Sequence, residues 1–249
     1  MIKYIRAVFR FLAFACATAI VYVIWFIGSL VVPNKQYWRQ TAFRFWSLSF
    51  VKIAGMNIEV IGQPPTPPFF LVVNHLGYVD IAAIRAVVTG VFVAKAEIDD
   101  WVIAGKLVRD MGNIFIDRKN RRDIPRAGKD ILERIDEGEG VIVFPEGTST
   151  KGENVLPFNS SFLEFAASAG LPVSYASLTY RTPEGGPTPS ETVTWWEDIG
   201  LLPHMFRLFK LKSFTAVISF GNELVRGDDR KKLAADLHDR VREGFVPML

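Results

Sequence analysis

FFLVVNHLGYVDIAAIRAVV, residues 69–88, is the stretch on which the fold turns. An apolar run ends at Val73, Asn74 and His75 interrupt it, and Gly77 opens a turn. A helix then runs from near Asp80 to Val88. An apolar run too short for a helix, then a turn, then a helix, is one strand-to-helix step of an α/β sheet. The same alternation continues along the chain. Residues 91–94 and 113–116 read as strands, and 123–135 as a helix whose Ile124, Ala127, Ile131 and Ile135 form an inward stripe with Pro125 in its first turn. Residues 140–144 (GVIVF) are a buried strand, 160–169 a helix stopped at Gly170, and 172–178 a strand. Strands at 192–196 and 214–220 and a helix at 230–242 complete the series. The expected class is α/β: a mixed, mostly parallel sheet covered by helices. The Pro- and Gly-rich segment 181–191 reads as a surface loop.

The chain has 249 residues, enough for one large domain. It is 49% hydrophobic and 22% charged, with 20 Phe and 6 Trp, which excludes a disordered protein and hints at a lipid-facing surface. A net charge of +3, with no basic stripe in the domain, argues against nucleic acid. Cys16 is the sole cysteine, so there is no internal disulfide and no thiolate cluster for a metal.

Residues 11–32 are 22 positions without a formal charge. As a helix they would be about 33 Å long, enough to cross a hydrocarbon core of about 30 Å. A cleaved signal peptide fits poorly, because the run is too long and lacks a small-residue cleavage site. Residues 37–52 (YWRQTAFRFWSLSFVK) are aromatic but carry Arg39, Arg44 and Lys52. They read as an amphipathic helix at headgroup level, with a helix packed on the domain core as the alternative. The two segments form a hairpin around Pro33 and Asn34. Basic residues flank the first segment on both sides, so spanning and dipping into one leaflet both stay open. QPPTPP, residues 63–68, is a stiff connector. The expected division is a membrane-associated helical segment, 1–62, and an α/β domain, 63–249.

Chemistry concentrates in three strings. In VVNHLGYVD, residues 72–80, His75 follows a strand end, where α/β folds open their ligand crevice. Asp80 is five residues on, about 140° round a continuous helix. A turn through Leu76 and Gly77 would instead fold the carboxylate back onto the imidazole and leave the other ring nitrogen to take a proton, the base–orienter half of a triad. By spacing alone, a structural histidine beside an unrelated aspartate is as good a reading. In FPEGTST, residues 144–150, Gly147 allows close backbone approach, and Thr148 and Ser149 offer amides and hydroxyls for an anionic or glycerol-like headgroup. Glu146 suits a phosphate site only if it pairs with an arginine or accepts a substrate hydroxyl; a tight structural turn competes. In MGNIFIDRKN, residues 111–120, Arg118 emerges after a strand, where a guanidinium suits phosphate, although an ordinary surface arginine has the same signature. His204 and His238 read as packed or surface residues.

In this order behind an apolar N-terminus, the three strings resemble the glycerolipid acyltransferase family, whose bacterial members convert 1-acyl-sn-glycerol-3-phosphate (lysophosphatidic acid) into phosphatidic acid. The family's histidine and aspartate match His75 and Asp80; its glycine, phenylalanine and arginine match Gly112, Phe115 and Arg118; its Phe-Pro-Glu-Gly block matches residues 144–147. Leu171, Pro172 and Val173 resemble its last block. The resemblance implies that His75, oriented by Asp80, is the catalytic base for acyl transfer to the sn-2 hydroxyl. Arg118 would hold phosphate, while Glu146, Gly147, Thr148 and Ser149 position the glycerol. It implies acyl-CoA or acyl carrier protein as donor substrate and no metal or redox cofactor. The partners implied are the phospholipid bilayer and a lysolipid acceptor at the bacterial inner (cytoplasmic) membrane, with the site on the cytoplasmic side. Oligomeric state is left open. Two departures matter. Thr148, Ser149 and Thr150 stand where many members have Thr-Arg-Ser, and Asn159 follows Pro157 and Phe158 where many have lysine. With two positive positions neutral, and with the string WWEDIGLLPH at 195–204, the chain also looks like bacterial branches acting on lyso-ornithine lipid or other lysolipids. An acyl-thioester hydrolase and a noncatalytic membrane scaffold are minor alternatives.

Overall fold

The computed structural model describes residues 1–101, 104–117, 120 and 123–248. Two long helices come first, α1 (Ile2–Val31) and α2 (Lys35–Ala54). They form the expected hairpin: Asn34 caps α2 by accepting from Tyr37 N at 2.9 Å, and Trp38 and Trp46 donate back to the Trp25 carbonyl and to Thr18 of α1. The α/β order follows: β1 (Met56–Ile61), β2 (Phe69–Val73), α3 (Val79–Val87), β3 (Val91–Lys95), α4 (Ala104–Asp110), β4 (Ile114–Ile116), α5 (Asp123–Asp136) and β5 (Gly140–Val143). After these come α6 (Glu164–Ser168), β6 (Val173–Arg181), α7 (Pro189–Thr192), α8 (Leu201–Phe209), β7 (Phe214–Phe220) and α9 (Arg230–Glu243).

Among the described residues the strands form one sheet, ordered β1-β7-β6-β2-β5-β3-β4. Only the β6–β7 pair is antiparallel. The mixed, mostly parallel sheet covered by helices is therefore as expected. Its centre, β2 and β5, is buried at every position, which is why both read as unbroken apolar runs. Because β4, β3, β5, β2 and β6 run in parallel, their carboxyl ends open on one edge of the sheet.

Four readings need correction. Residues 192–196 are not a strand. Pro189 starts a single helical turn, with Glu191 Oε2 accepting Thr188 N at 2.9 Å, and Val193 and Thr194 are buried as an irregular segment. Residues 160–169 divide into a 3₁₀ turn, Ser160–Leu163, and the short α6. The strand expected at 172–178 continues to Arg181. The sheet also reaches back across the expected boundary at Gly62, since β1 pairs with β7 throughout its length. Helices α4 and α8 were not anticipated.

One face of helix α2 is packed on the domain core, as the alternative reading of this segment had it. Its Phe43, Phe50 and Ala54 are buried in the core shared with the sheet. Arg39, whose charge suggested a lipid-facing position, turns inward to the buried Glu139 at 2.6 Å. Only its other face, with Tyr37, Phe45 and Leu48, is exposed.

Candidate active site

His75 lies just beyond β2, and the chain turns before α3 begins. Asp80, in the first turn of α3, is fully buried and points back into that turn. Its Oδ2 accepts the amides of Leu76 and Gly77 at 2.6 and 3.0 Å and meets His75 Nδ1 at 2.8 Å. Its Oδ1 accepts the Tyr180 hydroxyl at 2.8 Å. Four donors thus compensate a buried carboxylate that would otherwise be very costly. The turn puts the two side chains together as a continuous helix would not. Because Nδ1 donates to Asp80, Nε2 is the ring nitrogen left for a substrate. Phe144 stacks on the imidazole, with ring centroids 4.2 Å apart and planes at 15°.

The main chain at His75 is held as firmly as the ring. Its N–H donates to Glu146 Oε1 at 2.6 Å, and its carbonyl accepts Thr150 N at 3.0 Å. Asn74 bonds both ways with Leu178, donating at 2.9 Å and accepting at 2.7 Å, so a side chain continues the β2–β6 ladder where β2 ends. Glu146 is held on both sides. Its Oε2 accepts Leu156 N at 2.8 Å, so both carboxylate oxygens are bound to backbone amides. It therefore braces the His75 loop. Burial pushes its pKa up to about 7, against the pull of those two amides.

A cavity of about 290 Å³ opens beside His75. Gly147 and Ser149 line it, as do Phe92, Phe144, Trp101 and Trp195. Thr148 is exposed and not in its wall. A second, almost wholly apolar cavity of about 120 Å³ lies between the helical hairpin and the sheet and shares Ile81, Phe92, Ala94 and Ile98 with the first. Gly112, at the end of α4, and Phe115, in β4, lie on the β3 side of the sheet. Arg118 lies outside the described residues. His204 and His238 are packed, His204 against the Thr194 carbonyl and His238 near the Val155 carbonyl.

Sequence reasoning gave no role to Asn74, Thr150 or Tyr180. Tyr180 had one signal: it shares the inward parity of Ala176 and Leu178, and a buried tyrosine needs a partner for its hydroxyl.

An α/β sheet thus carries a His75–Asp80 pair beside a cavity that shares part of its wall with a second, apolar one. A family model described as Acyltransferase matches residues 57–177. The 1-acyl-sn-glycerol-3-phosphate acyltransferase of Neisseria gonorrhoeae is 30% identical over 196 residues, 76% of each chain. The lyso-ornithine lipid O-acyltransferase of Rhodobacter capsulatus is 33% identical over 203 residues, 78% of this chain and 72% of that protein. The crystal structure of the 1-acyl-sn-glycerophosphate (LPA) acyltransferase from Thermotoga maritima shares the fold, with a TM-score of 0.68 over 97% of each chain at 21% identity. The chain belongs to the glycerolipid O-acyltransferase family.

Proposed function

We propose that this enzyme moves a fatty acyl group from a thioester, acyl-CoA or acyl carrier protein, to the sn-2 hydroxyl of 1-acyl-sn-glycerol-3-phosphate, forming phosphatidic acid. The observation that carries this reading is His75, paired with Asp80, at the wall of a cavity that shares four lining residues with an apolar one. His75 Nε2 takes the hydroxyl proton as that oxygen attacks the thioester carbonyl. The carbon–sulfur bond then breaks, and the imidazolium returns the proton to the leaving thiolate. The products are an ester and a free thiol. Asp80 holds the tautomer and stabilises the imidazolium, help typically worth about 10²–10⁴ in rate. The apolar cavity between hairpin and sheet suits an acyl chain, and Gly147 and Ser149 suit the polar end of the acceptor. Arg118 is assigned to the phosphate on the family motif.

A lyso-ornithine acceptor is the second reading. It is favoured by the neutral residues Ser149 and Asn159, where many family members carry a cation, and by the similarity to the Rhodobacter protein. Purified, detergent-solubilised enzyme given one labelled acyl-CoA and a panel of lysolipids distinguishes the two. Labelled phosphatidic acid from wild type and none from folded His75→Ala is the expected result. Near-normal turnover by that variant overturns the assignment, and free fatty acid as sole product would make the enzyme a hydrolase.

The same proposal places α1 along one leaflet rather than across the bilayer. Arg6 donates to the Lys210 carbonyl at 2.6 Å, and Tyr22 donates to Asp110 at 2.7 Å, so α1 touches the α/β domain at points about 24 Å apart along its axis. A helix crossing to the other side would carry one of those points away from the domain. Its outer face, including Phe9, Leu12, Ile20, Ile24 and Ile27, is exposed and apolar. Lys3, Arg10, Lys52, Lys210 and Lys212 gather at one end of the hairpin without carboxylate partners among the described residues, which suits the anionic cytoplasmic leaflet.

A further inference from the structure

The string TWWEDIGLLPH, residues 194–204, takes no part in the reaction just described, yet the fold lays it across both loops of the site. Trp195 N–H donates to the Leu76 carbonyl at 2.8 Å, and the Trp195 carbonyl accepts the Ser149 hydroxyl at 2.5 Å. One residue thereby joins the His75 loop to the FPEGTST loop. Contact with the first loop is close enough to require glycine: at Gly77, whose φ is 154°, a Cβ would lie 2.9 Å from Trp195 N. The indole itself lines the cavity with His75. It is fixed at its far end, where Nε1 donates to the Ile199 carbonyl at 2.7 Å, and along its side, where Tyr78 meets it edge-on at 5.7 Å.

His204 anchors this strap. It is 1% exposed in the first turns of α8, and its Nε2 lies 2.8 Å from the Thr194 carbonyl, so Nε2 carries the hydrogen. Nδ1 is then the acceptor for the Tyr78 hydroxyl at 3.2 Å. Burial lowers the pKa of His204, in keeping with a neutral ring that donates on one side and accepts on the other. Thr194 and Tyr78, the two neighbours that set Trp195 from backbone and side, are thus held by one imidazole. The remaining charged groups near it, Arg207 and Glu197, pair with each other at 2.9 Å.

The position of the strap says what it would act on. The apolar cavity adjoins the site at Ile81, Phe92, Ala94 and Ile98, which line both cavities, whereas Trp195, Gly147 and Ser149 line the first cavity alone. An acyl chain directed into the apolar cavity leaves its polar end, and the acceptor, against that other wall. We infer that Trp195 is a specificity-determining residue for the acceptor headgroup and that His204 is the residue that positions it. The inference rests on the proposal that His75 activates the acceptor hydroxyl.

The test uses the full chain in detergent, one acyl-CoA and two acceptors, lysophosphatidic acid and lyso-ornithine lipid. Trp195→Ala is expected to change the ratio of the two kcat/KM values by about tenfold or more, with the donor KM unchanged. His204→Ala is expected to move the ratio in the same direction, and His204→Gln, whose amide can still donate to the Thr194 carbonyl, to restore it. A ratio unchanged in folded Trp195→Ala, or equal losses on both acceptors, overturns the inference, because a merely structural residue would depress both alike. If Trp195→Ala does not fold, Trp195→Leu keeps apolar bulk in the wall and is read by the same ratio, with the same outcome required. Wild-type enzyme inactive on every lysolipid would instead refute the function proposed for His75.

Discussion

His75 and Asp80 meet because the chain between them turns sharply at Leu76 and Gly77, and the amides exposed by that turn are consumed by the same carboxylate that orients the ring. Asp80→Asn should therefore lower kcat by about 10²–10⁴ and leave the lysolipid KM nearly unchanged. A loss confined to KM would show that Asp80 serves binding instead. Tyr180→Phe removes a hydrogen bond to a buried carboxylate and should cost about 1–3 kcal/mol of stability, read as a lower midpoint in urea. Glu146 makes a pH-dependent prediction. Its pKa is raised from an ordinary 4.5 to about 7, so the folded state holds this proton more tightly than the unfolded chain does. The stability contributed by the neutral acid is present below pH 4.5 and is lost as pH rises to about 7. Glu146→Gln should flatten the fall in unfolding midpoint across that window, and an unchanged slope would contradict the assignment. At this scale a turn that could bring Asp80 back to His75 was legible in one short loop, and the family motif, not the spacing, decided for the pairing. The inward bracing by Glu146 was not legible, because its partners, the amides of His75 and Leu156, are brought to it by the fold.

The strands were readable where they are central. Phe69–Val73 and Gly140–Val143 are buried on both faces, and their composition says so. Residues 192–196 misled because Val193 and Thr194 are buried in an irregular segment, Val193 at 0% exposure, and burial without pairing looks the same in a sequence. Helix α2 misled for another reason. Arg39, Gln40 and Arg134 all converge on Glu139, which is 2% exposed and about a hundred residues from α2. Gln40 also accepts from the buried Arg85, through its backbone and side-chain oxygens at 2.6 Å each. Glu139→Ala would leave Arg39 and Gln40 without their partner. A loss of about 3–5 kcal/mol is expected, measured by thermal unfolding in detergent. A loss below 1 kcal/mol would mean that water reaches the site and satisfies Arg39.

For the molecule as a whole, the seating of α1 is the testable point. Cys16, exposed on α1, is the sole cysteine and so a ready probe of depth. A fluorophore there should be quenched by lipids labelled in the acyl region. In a Cys16→Ser background, cysteines placed at Lys3 and Lys35 should both react with a membrane-impermeant thiol reagent added from the same side of sealed vesicles. Reaction from opposite sides would establish a spanning helix. Phe9→Asp together with Ile24→Asp should release the enzyme from vesicles while leaving turnover on detergent-dispersed substrate.

The order of residues along the chain was sufficient for most of the alternation of strand and helix and for the hairpin at Pro33 and Asn34, and it placed His75 and Asp80 around one short turn, while their pairing was read from the family motif. Each of these is dictated by interactions within a few residues: periodic burial, a cap, a turn. Folding added the inward face of α2, the bracing role of Glu146, the buried hydroxyl of Tyr180 on Asp80 and the strap that carries Trp195 to the cavity. These rest on contacts between residues as many as a hundred or more positions apart, and such pairs become neighbours only when the sheet brings the carboxyl ends of its strands together.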